Sequence, residues 1–223
     1  LVENGIRLAL GERVERFEET GGSVTVVTEK RAVTADIVIL AVGVKPNSEL
    51  AKACGLEIGA RGGIVVDEYL RTSDENIYAV GDAVETENFL TRERAVIPLA
   101  GPANKMGRMA ADNISGINRR YKGTQGASVV KVFDMTAAFT GLNERQLTAA
   151  GKKLNVDYKV TVIHPLSSAG YYPGGTPMSI KLLFAKQDGK VLGVQAVGFK
   201  GVEKRVDVVA TAIRFGATVY DLE

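Results

Sequence analysis

Residues Arg71 to Val84 read RTSDENIYAVGDAV. A short apolar run, Ile77 to Val80, closes on Gly81 and Asp82. Glycine lets the backbone turn sharply, and an ionised carboxylate only accepts hydrogen bonds. The run predicts a short strand, NIYAVGD, with Asp82 at its carboxyl end, where open α/β sheets hold their ligands. Such an acceptor suits the hydroxyls of a sugar or ribityl chain. For the Gly-Asp pair alone, a tight turn capped by the acid is the plain alternative.

Upstream, residues 6–42 read as a meander of short strands. VERFEE and SVTVVT flank Thr20-Gly21-Gly22, and a glycine pair predicts a hairpin turn. DIVILAVG, Asp36–Gly43, is a continuous β-branched run, the pattern of a strand buried on both faces. A short helix is predicted over Ser48–Cys54, capped by Asn47 or Ser48 and ended by Gly55. A glycine-rich loop, GARGG, and a strand, GIVVDEYL, bring the chain back to Arg71.

Downstream, Ala103, Met106, Ala110 and Ile114 share one face of a helix predicted over Ala103–Ile114. Between Arg119 and Ser128 the composition shifts to Gly, Lys, Thr, Gln and Ser, which marks a domain boundary. Beyond it the expected order is strand Val129–Thr140, helix Asn143–Ala150 and strand Val156–His164. Strands Met178–Ala185 and Val191–Val197 follow, joined by a turn at Gln187–Lys190, then helix Val202–Phe215. That helix sets Val202, Val206, Val209, Ala210 and Ile213 on one apolar face. The second unit therefore reads as α+β with a largely antiparallel sheet.

The chain has 223 residues, 45% hydrophobic, with a net charge of +2. It can bury a core, and its charge argues for neither nucleic acid nor a membrane surface. No apolar run reaches the roughly 20 residues of a membrane helix. One cysteine, Cys54, and one histidine, His164, exclude an internal disulfide framework and a cysteine-based metal cluster, so no metal site is expected. The single thiol fits a reducing, cytoplasmic setting. Leu1–Gly5 does not read as a signal peptide but as a cut inside a longer protein.

Thr72 followed by Ile77-Tyr78-Ala79-x-Gly81-Asp82 resembles the second flavin fingerprint of the pyridine nucleotide-disulfide oxidoreductases. ILAVGVKPN, Ile39–Asn47, looks like that family's connector from the nicotinamide domain to the flavin domain, with Val42 where a threonine is usual. VIPLAGPANKMGRMAADNI, Val96–Ile114, is similar to the segment that lies against the isoalloxazine ring. The wording LAGPANKMGR is closest to the coenzyme A-disulfide reductase and NADH oxidase branch. The resemblance implies that Asp82 is the FAD ligand, with Gly81 and Gly43 giving close backbone approach. It implies that Leu99, Ala100 and Ala103 face the flavin, and that Thr72 is a structural hydrogen-bonder. Free amides at a helix start, aided by the helix dipole, would stabilise negative charge on a reduced flavin.

From about Ser128 onward the chain resembles the family's dimerisation domain, opened by DMTAAFTGLNE, Asp134–Glu144. A homodimer is implied, burying on the order of 2,000 Å² or more. In the same branch a loop like HPLSSAGYYPGG, His164–Gly175, reaches across the dimer toward the partner's active site. The resemblance thus makes Tyr171 and Tyr172 candidate catalytic residues, without saying which one matches. A phenol can donate or accept a proton when its surroundings tune it. His164 and Cys54 read as structural residues.

No G-x-G-x-x-G loop occurs in the sequence, and the family needs two. The resemblance implies α/β and α+β architecture: residues 1–42 as the tail of a nicotinamide-binding domain, 43–125 as the C-terminal part of an FAD-binding domain, and 126–223 as a dimerisation domain truncated at its end. It implies the C-terminal half of an FAD- and NAD(P)H-dependent oxidoreductase acting on a small-molecule disulfide such as coenzyme A disulfide, on polysulfide or on oxygen. The half itself is expected to be inactive. The alternative is a homodimerisation or binding module without flavin or catalysis.

Overall fold

The computed structural model describes residues 1–222. They form two compact units, Leu1–Val44 and the chain from Lys45 onward. In the first, β1 (Val14–Thr20), β2 (Ser23–Thr28) and β3 (Ala32–Ala35) make an antiparallel meander. Thr20 pairs with Ser23. Gly21 and Gly22 take φ of +58° and +89°, which L side chains adopt with difficulty. Glu12 accepts from Arg31 through both carboxylate oxygens, at 2.8 and 2.9 Å, and from Thr28 at 3.1 Å, tying the segment before β1 to the end of β2 and the β2–β3 turn.

The expected strand at Asp36–Gly43 does not form. The segment joins no ladder among the described residues, and Ile37, Ile39 and Val42 stand exposed. A continuous apolar strand is stable only between paired neighbours and covered faces. The described residues supply neither.

The second unit opens with α1 (Glu49–Ala53), bounded by Ser48 and Gly55 near the expected limits. Ser48 does not cap with its side chain; its hydroxyl donates to Gly62 O at 2.7 Å. β4 (Ile64–Val65) runs parallel to β5 (Val84–Glu87), and β6 (Arg94–Ala95) closes a small mixed sheet. Only the start of GIVVDEYL is strand. The rest turns at Leu70, which has φ +69° and is fully buried. Leu70 O accepts from Ala79 N–H at 3.1 Å and so ties the turn to the IYAVGD segment.

Against this sheet lies α2 (Ala100–Ile114). Val66, Leu70 and Val84 pack on its buried Met106 and Ala110, with Tyr78 and Ala79 beside them. Burying each of the Val, Leu and Met side chains favours folding by about 1.5–3 kcal/mol. Ile114, expected on the apolar face, is exposed; Asn113 is buried instead, its amide bonding Tyr69 O, Arg119 O and Arg119 N–H. The helix also begins three residues before the expected start. Pro102 falls in its first turn, where a missing N–H leaves no gap in the ladder.

A five-stranded antiparallel sheet follows, in the order β7 (Ser128–Val132), β8 (Met135–Gly141), β11 (Val191–Gly198), β10 (Met178–Ala185), β9 (Tyr158–Ile163). The single strand expected over Val129–Thr140 is two strands. Phe133, at φ +53°, turns the chain back so that Val132 pairs with Met135. α4 (Val202–Arg214) covers one face, with Val202, Val206 and Val209 on Ala138, Val194 and Ala196. α3 (Glu144–Ala149), started by an Asn143–Gln146 capping box, covers one end of the other face through Leu147 on Tyr158 and Leu183. Elsewhere on that face Val130, Met135, Phe139 and Val197 remain exposed.

One amide joins the α2 region to this sheet. Gln125 Nε2 donates to Thr140 Oγ1 at 2.9 Å and to Ala210 O at 3.0 Å. Nearby the Arg214 guanidinium lies 4.1 Å from the Phe89 ring centroid and donates to Gly123 O, and its burial lowers its pKa. Burial likewise raises the pKa of the Tyr121 phenol, partly offset by its hydrogen bond to Thr124. No helix among the described residues is long and apolar enough to cross a membrane.

Candidate flavin-facing site

Gly81–Ala83 is a short 3-10 turn, and β5 begins immediately after it. Asp82 therefore precedes a strand rather than ending one. The strand expected at NIYAVGD reduces to a single bridge between Arg71 and Tyr78. The reason is local: Thr72 N–H donates to Ile77 O at 2.9 Å, and its hydroxyl bonds the Asp74 backbone on both sides. These bonds close a tight loop that a ladder cannot extend through. Thr72 is a structural hydrogen-bonder.

The turn rests on the first turn of α2. Gly81 has φ +85°, and a Cβ built on it would lie 4.0 Å from Ala103 Cβ. Glycine is needed here for conformation, since an added Cβ would make only an ordinary contact. Asp82 is exposed, and its carboxylate accepts no hydrogen bond among the described residues. Leu99 is the extended residue before the helix, at φ −138° and ψ 136°. Its carbonyl accepts from Ala103 N–H at 3.1 Å. The N–H groups of Ala100 and Gly101 meet no acceptor among the described residues, and Pro102 carries none. Ala103 thus offers a methyl to the site, while the free donors are Ala100 and Gly101.

Gly81, Asp82, Leu99, Ala100 and Ala103 are in this way gathered around one helix start. Gly43 belongs to the first compact unit. It takes φ +99°, a conformation that requires glycine, and nothing crowds it within 4 Å.

Tyr171 and Tyr172 sit on a loop pinned at its base. Ser167 N–H donates to Thr176 O at 2.8 Å, and Met178 N–H to Pro165 O at 3.0 Å. Tyr172 N–H closes the tip on Ala169 O at 2.8 Å. The two residues are 91% and 66% exposed, and neither hydroxyl bonds within the described residues. Neither ring lines the cavity beside Leu99. His164 pairs with Ser179 Oγ at 2.9 Å, and Cys54 is an exposed helix-end residue.

That cavity, of about 530 Å³, runs from Val96–Leu99 to Arg61 and the amides of Gln125, Gln146 and Gln195. It is absent from the sequence reading. The one signal was Gln195, a lone polar residue in the apolar run VLGVQAVG.

Two family models match parts of the chain. Residues 1–107 match the pyridine nucleotide-disulphide oxidoreductase model, and residues 127–223 match the dimerisation domain of the same family. The chain belongs to the pyridine nucleotide-disulphide oxidoreductases. Among relatives, an NAD(P)H sulfur oxidoreductase (CoA-dependent) from Pyrococcus abyssi is 38% identical over 97% of the chain and 47% of that protein. A coenzyme A disulfide reductase from Staphylococcus epidermidis is 32% identical over 93% of the chain and 46% of that protein. A solved NAD-dependent persulfide reductase from A. fulgidus superposes with a TM-score of 0.93 at 41% identity, covering 99% of the chain and 41% of that structure. Reduced Bacillus anthracis CoADR-RHD gives 0.88 at 48% identity, covering 95% and 37%. The chain spans about half the length of the curated relatives it matches.

Proposed function

We propose that this chain supplies one wall of the flavin site, and the homodimer interface, of an FAD- and NAD(P)H-dependent oxidoreductase. Its acceptor would be a small disulfide such as coenzyme A disulfide, a polysulfide, or oxygen. The observation that carries this is the Gly81–Asp82 turn packed on the open first turn of α2. Asp82 has no partner among the described residues and accepts only, as hydroxyl groups of a ribityl chain require. Ala100 and Gly101 add two free donors at the positive end of a helix dipole. Ala103 and Leu99 give the apolar surface on which a planar ring can rest. The residues present fit the group.

When bound, the flavin supplies electron transfer between nicotinamide and acceptor; the protein orients and tunes it. Asp82 would hold the polar chain, and the amides of Ala100 and Gly101 would stabilise negative charge at the ring edge. Tyr171 or Tyr172, on a pinned and exposed loop, would serve the thiol leaving group of a partner subunit's site. The domain limits at residues 42 and 125 belong to the same reading, as does a cytoplasmic setting. Adenine contacts and a redox sulfur have no counterpart in the site described, so the 223-residue chain alone is expected to hold FAD weakly or not at all.

The exposed apolar sheet face favours a second reading, a dimerisation module without flavin. Expression of an intact protein containing this chain separates the two. The first reading expects stoichiometric flavin absorbance and NAD(P)H oxidation with at least one of coenzyme A disulfide, polysulfide or oxygen. A colourless dimer without turnover supports the second.

A further inference from the structure

A cavity of about 440 Å³ lies between β5, β6 and the Arg120–Lys122 segment, apart from the flavin-facing turn. Its size falls within the range of small-ligand pockets. Its apolar surface comes from Val66, Phe89 and Tyr121. Its acids are already matched. Asp67 accepts from the Arg71 guanidinium at 2.9–3.0 Å and from two backbone N–H groups. Glu87 pairs with Arg92 at 2.7 Å, and Glu68 pairs with Arg120.

Two lining cations are left without a carboxylate. Lys122 makes no ion pair or hydrogen bond among the described residues. Arg94 is held by main chain alone: its Nη1 donates to Val66 O at 2.6 Å and to Glu85 O at 3.0 Å. Carbonyls fix a guanidinium in place without cancelling its charge, and they leave Nε and Nη2 free to donate. A pre-positioned guanidinium and an unpaired ammonium lining one cavity make a receptor for a doubly charged oxyanion.

We propose that this cavity binds an organic phosphate of about mononucleotide size, its phosphate between Arg94 and Lys122 and its less polar part over Phe89 and Tyr121. Inorganic phosphate shares the charge chemistry but not the apolar contact. It should therefore bind the same residues more weakly.

The test is amide NMR titration of the 223-residue chain with adenosine 5′-monophosphate and, separately, with inorganic phosphate. Saturable shifts are expected at Phe89, Arg94, Tyr121 and Lys122, with phosphate at least tenfold weaker than the nucleotide. Lys122→Gln should weaken nucleotide binding about tenfold or more and leave the rest of the spectrum unchanged. Arg94→Gln should abolish it; because Arg94 also supports two carbonyls, Lys122→Gln decides the matter if that variant fails to fold. Higher ionic strength should weaken binding. The proposal is overturned by the absence of saturable shifts, by shifts centred on Gly81–Ala83 instead, or by a Lys122→Gln protein that binds as tightly as the parent.

Discussion

Gly81 and Ala103 meet with room for no more than a methyl contact: a Cβ on Gly81 would stand 4.0 Å from Ala103 Cβ, and Gly81 holds φ +85°. This contact sets Asp82 beside the open start of α2. Gly81→Ala should lower stability by about 1–2 kcal/mol, through the left-handed backbone rather than a clash. Denaturant unfolding checks it. A drop well beyond that range would mean that the turn cannot adapt to the added methyl.

Gln125 links the α2 region to the dimerisation sheet through Thr140 Oγ1 and Ala210 O. Thr140 is fully buried, so its hydroxyl has no solvent to turn to. Gln125→Leu should destabilise by about 1–3 kcal/mol, the cost of leaving buried polar groups unpaired. Thermal unfolding of the two proteins at equal concentration measures it.

The Arg31 guanidinium, hydrogen-bonded to Glu12, holds that carboxyl below its ordinary 4.5. A depressed carboxylate pKa means that the folded state binds fewer protons than the unfolded one. The contribution is complete above the ordinary value and is lost as pH falls through the lowered one. The β1–β3 meander should therefore loosen below about pH 4.5. In Glu12→Gln that pH dependence should be reduced, as followed by hydrogen exchange at β2.

The exposed face of β7, β8 and β11 should form the homodimer contact. Phe139 is 45% exposed and Val130 53%. Phe139→Lys together with Val130→Lys should convert a dimer to a monomer in sedimentation velocity. A dimer that survives both changes would place the interface elsewhere.

The resemblance to a flavin fingerprint was legible in the sequence because IYAxGD combines a conformational need with a chemical one in six residues. The antiparallel second unit was also legible, since hairpin turns and the apolar face of α4 are local signals. Four features were not. DIVILAVG has the composition of a buried strand, but burial depends on neighbours that composition does not supply. NIYAVGD has β-prone residues, yet the Thr72 N–H donates to Ile77 O and closes a tight loop at its start. Phe133 splits a long apolar stretch by taking φ +53°, which nothing about phenylalanine announces. The amide-lined cavity beside Leu99 draws its residues from Arg61 to Gln195, a juxtaposition only the folded chain creates.

The flavin content of an intact protein carrying Asp82→Ala tests the central claim most directly. Asp82 is exposed and bonds nothing within the described residues, so the variant should fold normally by circular dichroism. The account predicts a folded protein that has lost most of its flavin absorbance relative to protein. A folded Asp82→Ala protein that keeps stoichiometric flavin would contradict it.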